Sequence, residues 1–572
     1  MTNGHTAPVV WDALVATSDP TESTDPVLSD FHPAVASWFA SRFPGGPTKP
    51  QQLAWPRIRE GGDVLVASPT GTGKTLTGFL VAIDAAYRAH AAAAENSSTQ
   101  PEGTEDGDTA DSAARGPSVV YVSPLRALAV DVHENLQIPL AGISKEAERL
   151  GLDGPNMTVA VRTGDTPQSE RAAMRRSPPD LLVTTPESLY LLVTAASSRA
   201  VLANVHTVIV DEVHTLARDK RGSHLSLTLE RLGKLVESRG GRLQRIGLSA
   251  TQRPLETVAR LLSGGDATER PTTVIDCGHR RDVDVAIELP ESELESVASG
   301  GQFSDVLDRI AEHVLEHRTT LIFVNTRKLA ERVAHLLAQR LEGTANGGAA
   351  ERATARNGAG PTTEEETREG GPIDPALQVA AHHGSLSAAR RRIVEERLRA
   401  GDLRALVATA SLELGIDVGP VELVCQIGSP RAIGTFLQRV GRANHQLEGT
   451  PAGRLYPLTR DELVECTALL SAVRAGHLDL LQPPVAPLDV LAQQIVAEVA
   501  AAEEYEVDAL YELMTGAAPY AELERETFDE VVELVSWGIE TGRGRRGAHL
   551  HHDAVNGRLR ARRGARLAAL TN

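Results

Sequence analysis

Short apolar, β-branched runs at residues 63–67, 118–122, 157–161, 181–184, 205–210 and 244–248 alternate with patterns of helical period, and this alternation constrains the fold more than any other feature. Strands buried on both faces read as continuous apolar runs, and strands joined through helices run parallel, so a parallel sheet covered on both sides is expected. A second series follows at 319–324, 378–381, 404–408, 421–427 and 452–457. Two tandem doubly wound α/β domains are therefore predicted, over 1–272 and 273–478, joined by a polar, Gly-rich stretch around 263–290. From 479 to 572 the pattern turns mainly helical, with "PLDVLAQQIVAEVAA" and "TFDEVVELVSWGIETGRG", which suggests a small α-rich module such as a winged helix. The segments 92–117 and 343–371 lack hydrophobic periodicity and read as disordered insertions.

The chain has no run of 18 apolar residues and no basic, apolar leader, which points to a soluble cytoplasmic protein. Cys277, Cys425 and Cys466 show no C-x-x-C spacing, so neither a disulfide framework nor a zinc knuckle is expected. A net charge of −18, with arginine supplying nearly all the positive charge, is the surface of a protein adapted to concentrated salt (halophilic) and says little about its partner. Positive charge is instead local. "TGRGRRGAHLHHDAVNGRLRARRGARL", ending at residue 567, holds arginines from Arg543 to Arg566 against the single acid Asp553, and is expected to touch phosphates.

The stretch "DVLVASPTGTGKTLTGFL" passes from the strand at 63–67 through a Gly-rich turn into a helical pattern starting near Lys74. Glycines let backbone N–H groups crowd around an anion, and a helix N-terminus adds partial positive charge. Gly71 and Gly73 supply the turn, Lys74 can reach the β and γ phosphates, and the Thr75 hydroxyl can ligate magnesium. Ser68 stands where the strict phosphate-loop pattern has glycine. A second stretch, "VIVDEVHTLARDKRGSHLSL", sets Asp211 and Glu212 where an apolar strand surfaces. Adjacent carboxylates there close an ion pair or hold a cation. With Thr75 already implying magnesium, Asp211 is its second ligand and Glu212 is left to orient and deprotonate water.

These motifs resemble those of superfamily 2 DEAD/DEAH-type helicases, and the longer wording "KRGSHLSLTLERL", "GLSATQRP", "SLELGIDVG", "LQRVGRANH", "TRDELVEC" and "PLDVLAQQIVAE" is similar to the Lhr (large helicase-related) core. The resemblance covers nearly the whole chain and implies two RecA-like domains followed by a winged-helix-like module. It implies nucleotide contacts from Gln51, Thr70, Gly71, Thr72, Gly73, Lys74, Thr75, Asp417 and Gln438, with Thr75 and Asp211 holding Mg2+. Arg439 and Arg442 become candidate arginine fingers, and His214, Ser249 and Thr251 couple the nucleotide site to domain movement. Strand contacts by the same resemblance come from Arg126, Thr163, Gly164, Thr184, Thr185, Thr326, Arg327 and Thr409. Each of these threonines can equally serve as a turn or cap residue.

The function implied is an ATP-dependent translocase moving 3′ to 5′ on a DNA strand and unwinding DNA or RNA:DNA duplexes, in repair or recombination, as a monomer without a membrane partner. The alternatives are an RNA-remodelling helicase and a nucleotide-gated binding module without turnover. Lhr cores continue beyond the pattern that ends this chain, so a truncated or split protein with an intact motor is expected. Three signals are read structurally: His549, His551 and His552 lack cysteine partners for a metal, His382 and His383 belong to a strand and turn, and Trp537 is expected to pack in a core.

Overall fold

A computed structural model describes residues 26–69, 71–98, 116–265, 270–278, 282–345, 378–413, 419–444, 449–541 and 544–571. The expected disordered insertions lie largely outside these residues. The chain forms two compact units, one built on Arg280–Asp479 and the other joining Ser18–His279 to Leu480–Asn572.

In the second of these, β1 (Asp63–Ala67), β2 (Val119–Val122), β3 (Val159–Arg162), β4 (Leu181–Thr184), β5 (Thr207–Val210), β6 (Gln244–Ser249) and β7 (Thr272–Asp276) form one parallel sheet in the order β3-β4-β2-β5-β6-β1-β7. The continuous apolar runs are explained by where alternate side chains go. Val64, Val66, Tyr121, Val183 and Ile209 enter a core with the helices Pro33–Arg42, Lys74–Ser98 and Arg126–Arg149. Leu65, Val120, Val122, Leu182 and Val208 enter an opposite core with Pro186–Thr194, Lys220–Glu237 and Leu255–Ser263. Both cores are lined by apolar side chains, and the motif residues lie where the strands end.

The other unit repeats the plan with β8 (Asp284–Ile287), β9 (Thr320–Phe323), β10 (Val379–His382), β11 (Ala405–Ala408), β12 (Leu423–Ile427) and β13 (Ala452–Tyr456), all parallel, in the order β10-β11-β9-β12-β13-β8. The stretch 263–290, expected as a polar connection, instead contributes a strand to each sheet: β7 pairs with β1 and β8 with β13. A boundary after residue 272 would cut β7. Short edge strands carry little hydrophobic signal of their own, because one neighbour and one covered face suffice to hold them.

The C-terminal module contains β14 (Glu504–Glu506), β15 (Ile539–Thr541), β16 (Gly544–Arg546), β17 (Leu550–Asp553) and β18 (Arg558–Ala561), with β14-β18-β17 forming an antiparallel sheet beside the helices Leu488–Ala502, Val507–Thr515 and Arg525–Trp537. It packs on the first sheet's domain rather than standing apart. Tyr190 and Leu227 share a core with Leu491, Ile495, Phe528 and Leu559. Trp537, expected in a core, is 57% exposed. The buried stripe of its helix is Phe528, Val531, Val532 and Val535, and Trp537 falls off that face at the last turn.

Polar groups fasten the same junction. Arg231, fully buried, donates to Glu498 Oε2 at 2.6 Å, Gln494 Oε1 at 2.7 Å and Thr194 Oγ1 at 3.1 Å, while Arg199 pairs with Glu498 at 3.1 Å. Burial alone would raise the Glu498 carboxyl, but Arg231 and Arg199 overcome it and hold it below the usual range. Among the described residues no helix is long and apolar enough to cross a membrane.

Glu498→Gln leaves Arg231 buried without its counter-charge and should destabilise this unit by about 3–5 kcal/mol in denaturant melts. In the unsubstituted chain the stability given by this pair is present above the ordinary carboxylate range and is lost as pH falls through the depressed Glu498 value. A melt unchanged by Glu498→Gln would mean that the apolar contacts alone fasten the module.

Candidate nucleotide and nucleic-acid sites

The expected site residues emerge at the carboxyl ends of the parallel strands, where open α/β sheets bind ligands. After β1 the chain turns through Gly71 and Gly73, with φ of 82° and 78°, left-handed values that favour glycine. A Cβ on Gly73 would also meet Gln51 Nε2 at 2.8 Å. Gln51 closes a capping box with Thr48, its Oε1 accepting from the Thr48 N–H at 2.9 Å, and the Thr48 hydroxyl donates to the Thr72 carbonyl at 2.9 Å. Ser68, the departure from the strict motif, has its hydroxyl 2.8 Å from the Thr72 hydroxyl, a side-chain contact that glycine could not make. Lys74 Nζ donates to the Ser68 carbonyl at 2.7 Å and the Pro69 carbonyl at 3.3 Å. Thr70 lies outside the described residues.

Beyond β5, Tyr121, which sequence reasoning missed, connects the two halves of the site. Its hydroxyl donates to Asp211 Oδ2 and interacts with the Thr75 hydroxyl, so Thr75 and Asp211 flank one phenol. The ring is stacked on Phe79 at 4.6 Å between centroids. Burial, followed by the neighbouring Glu212 charge, pushes the Asp211 carboxyl up to about 7. A buried carboxylate beside a hydroxyl is a hard oxygen donor set suited to magnesium. The next residue, Glu212, has φ 45° and ψ 39°, a left-handed conformation rare for a side-chain-bearing residue. Its own N–H is held by Asp211 Oδ1 at 2.8 Å and its carbonyl by the Thr215 hydroxyl at 2.8 Å.

His214 is neutral: burial, with Lys74 and Arg218 acting against Glu212, lowers it to about 4. Its Nδ1 accepts the Ala250 N–H at 3.2 Å and lies 3.2 Å from the Ser249 hydroxyl, which places the proton on Nε2. The 3.5 Å approach of Glu212 Oε2 to Nδ1 is therefore a contact with a neutral ring, not an ion pair. His214 and Ser249 thus meet as expected, whereas Thr251 bonds the Gly278 carbonyl at 2.9 Å.

The residues expected to contact a strand divide into two groups. Thr184 and Thr185 are buried and internally committed: Thr184 donates to the Arg162 carbonyl at 2.7 Å, and Thr185 caps the helix that follows it. Thr163 is also buried, within a turn in which its N–H reaches Thr166 Oγ1 at 2.9 Å. In this structure their side chains are engaged within the strand ends, the turn or cap role that the sequence left open. Arg126 is exposed, paired with Asp165 at 2.6 Å, and Gly164 packs so closely that a Cβ would meet Arg126 Nη2 at 2.8 Å.

In the unit built on Arg280–Asp479, Thr326 and Arg327 follow β9 in exposed positions, Arg327 donating to the Ser385 hydroxyl at 2.7 Å, and Thr409 follows β11. His382 ends β10 and pairs with Glu395 at 2.9 Å, and His383 pairs with Glu331 at 2.7 Å, both structural roles. Arg439 is an internal anchor here. Its Nε donates to Glu413 Oε1 at 2.9 Å, its Nη groups reach Gln426 Oε1 and Glu413 Oε1, and its guanidinium carbon stands 5.0 Å from the Phe323 ring centre. Arg442, on the turn after the same helix that carries Gln438, donates to the Glu413 carbonyl at 2.9 Å. Asp417 lies outside the described residues.

Three of the C-terminal arginines have partners within the module. Arg558 pairs with Glu504 at 3.2 Å and Glu506 at 3.3 Å, Arg560 with Glu504 at 3.2 Å, and Arg562 donates to the carbonyls of Leu550 at 2.6 Å and Ser536 at 3.2 Å. The pairs made by Arg558 and Arg560 run across the small sheet to β14. His551 and His552 belong to β17, and they do not join a metal-ligand cluster among the described residues.

A DEAD/DEAH box helicase profile matches residues 48–260, a helicase conserved C-terminal domain profile residues 364–445, and the winged helix domain of large helicase-related protein residues 471–565. Over 563 residues the chain is 42% identical to the Lhr helicase/probable uracil glycosylase of Mycolicibacterium smegmatis, covering 96% of this chain and 35% of that protein. Over 504 residues it is 38% identical to ATP-dependent helicase Lhr-Core protein 2 of Thermococcus barophilus, covering 88% of this chain and 52% of that protein. Among solved structures it is similar to Mycobacterium smegmatis helicase Lhr bound to ssDNA and AMP-PNP, with a TM-score of 0.79 and 40% identity over 95% of this chain and 62% of that one. The chain thus spans between 35% and 52% of the length of these curated relatives.

Tyr121→Phe keeps the stacked ring but removes the hydroxyl shared by Thr75 and Asp211. It should raise the magnesium concentration needed for half-maximal nucleotide turnover by roughly 10-fold or more, as loss of an outer-sphere partner does. An unchanged magnesium titration would reduce Tyr121 to a packing residue.

Proposed function

Because this chain belongs to the Lhr branch of the superfamily 2 helicases, we propose that it is an ATP-dependent motor that moves along and unwinds nucleic acid. The observation that carries the reading is the meeting of Thr75, Tyr121 and Asp211, which joins the phosphate loop after β1 to the carboxylates after β5. Lys74 would bind the β and γ phosphates. Thr75 and Asp211 would hold Mg2+, which when bound neutralises phosphate charge. Glu212, fixed in its left-handed turn, would orient the attacking water and take its proton. Gln51 would read the base, and Gln438 with Asp417 would add contacts from the other RecA-like domain.

Of the two arginines, Arg442 is the proposed finger and Arg439 the residue that positions its turn. His214, bridging Glu212 and the Ser249–Ala250 backbone, would pass the state of the phosphates to domain movement. Alternation between nucleotide states would then shift the domains along a strand by population shift. Arg126, Gly164, Thr326, Arg327 and Thr409, at strand carboxyl ends, would form a sequence-blind track.

The finer reading is 3′ to 5′ movement by a monomer on a DNA strand, opening DNA or RNA:DNA duplexes in repair or recombination, in a salt-adapted cytoplasm. Strand displacement on four duplex types with 3′ or 5′ tails tests polarity and substrate together. Displacement from 5′ tails alone would overturn the polarity, and RNA duplex opening without tail dependence would favour the RNA-remodelling alternative.

Lys74→Ala should abolish hydrolysis, whereas Glu212→Gln should retain nucleotide binding and lose turnover. Normal turnover in Glu212→Gln would end the water-activating role, and absence of turnover in the unsubstituted chain with nucleic acid would support a gated binding module instead. Arg442→Ala should lower turnover on the order of 10³ with little change in ATP affinity. Arg439→Ala should mainly lower stability, because Glu413 and Gln426 lose their shared partner. Equal loss of turnover in two equally stable variants would restore the two-finger reading.

A further inference from the structure

We propose that His313, Glu316 and His317 form a binding site for a zinc-like divalent transition-metal cation at the end of the helix Gly300–Glu316, within the unit built on Arg280–Asp479. The inference is independent of the motor reading, which gives these residues no part. Positions i, i+3 and i+4 share one face of a helix, and two histidines four residues apart are the spacing on which helix-borne zinc sites are built. His317 keeps that register although it caps the helix, because its N–H still bonds the His313 carbonyl at 3.0 Å. One donor atom from each of the three residues lies within 4.8 Å of the other two.

His313 supplies a second observation. The residue is 7% exposed, and its Nδ1 is buried without a hydrogen-bond partner. Its Nε2 stands 3.0 Å from both carboxylate oxygens of Glu288, which is fixed in turn by the Tyr456 hydroxyl at 2.9 Å and Arg309 Nε at 3.0 Å. Donation from Nε2 leaves Nδ1 of the neutral ring with the lone pair. Glu316 Oε2 is 3.5 Å from that atom, beyond the usual hydrogen-bond length. It is close to the edge of a tetrahedral site, in which donors about 2.0–2.2 Å from zinc stand roughly 3.3–3.6 Å apart. His317 is arranged in the same way: its Nδ1 donates to the His313 carbonyl at 2.8 Å, so Nε2 carries the lone pair. One ring nitrogen held by a carboxylate or a backbone carbonyl, with the other bare, is the outer support that zinc-ligating histidines share.

Two imidazole nitrogens and one carboxylate oxygen suit zinc, whereas magnesium and calcium take oxygen-rich sets. A helix C-terminus also favours a cation, because its last carbonyls carry partial negative charge. Closure onto the ion asks movement only of Glu316, which is exposed, and His317, which is half-buried; His313 is already set. A fourth position is left for water. A bound ion would tie the last turn of the helix to the cap that leads into β9, and so stabilise this unit by binding its folded form.

The test titrates the full chain, stripped with EDTA, with Zn2+ in excess Mg2+, which occupies sites made of oxygen donors alone. One tight Zn2+ per chain is expected, and Co2+ in its place should give the strong visible absorption of a four-coordinate ion. Glu316→Ala, at an exposed position, should weaken that tight binding by about 100-fold or more, beyond what loss of an outer partner alone costs. His317→Ala should do the same, and Glu288→Gln should weaken binding by roughly 10-fold, because it loosens the His313 ring. His313→Ala also deprives Glu288 of its partner and can unfold the unit, so the Glu316 and His317 variants decide. Absence of tight Zn2+ binding by the unsubstituted chain overturns the site and leaves His313 as an imidazolium between Glu288 and Glu316. Undiminished binding in the Glu316→Ala, His317→Ala double variant also overturns it, by sending zinc to other histidines. Neither result touches the motor reading, because the titration uses neither nucleotide nor nucleic acid.

Discussion

A parallel sheet buried on both faces leaves strand ends as the place where charge can be kept, and the rest of this molecule is arranged around that constraint. Alternate side chains of β1, β2 and β5 enter two separate apolar cores. Lys74, Asp211, Glu212 and His214 therefore cluster where those strands stop. The site is dry enough to hold Asp211 at about 7 and His214 at about 4, so the same burial that stabilises the sheet sets the protonation of its chemistry. A bound cation would favour the charged form of Asp211, and the Tyr121 hydroxyl already holds one of its oxygens in place.

The C-terminal module follows a different physical logic. Its apolar contacts with Tyr190 and Leu227 are reinforced by Arg231, Arg199 and Glu498, a buried set whose members are each costly without the others. Such a network gives geometric specificity as well as attraction, because Arg231 addresses Glu498, Gln494 and Thr194 in one planar fork. The helix Lys220–Glu237 carries Arg231 and lies a few residues beyond Asp211 and Glu212 in the chain. The helix that anchors the module therefore follows the carboxylates closely in the chain.

Arginine is used in two distinct ways. Arg231 and Arg439 are internal anchors, saturated by acids and amides. Arg171 and Arg562 tie down backbone carbonyls. Composition cannot separate these uses, because arginine content alone does not say which partner the fold brings to each guanidinium.

The sequence by itself determined the two parallel-sheet domains, since only strands covered on both faces are continuously apolar, and it determined the phosphate loop and paired carboxylates, whose spacing is local to one strand-turn each. Tertiary structure alone decided what depends on neighbours distant in the chain. Tyr121 joining Thr75 to Asp211 is a meeting of a strand, a helix start and the turn after another strand, and β7 and β8 are strands because of the partners they border. The same holds for Thr184, whose hydroxyl turns inward to Arg162, for Trp537, left outside its helix's buried stripe, and for Arg439, captured by Glu413 and Gln426. A residue type and its spacing state what a side chain can do; which partner satisfies it is set by packing, because a buried polar group must take whatever partner the fold brings within hydrogen-bond reach.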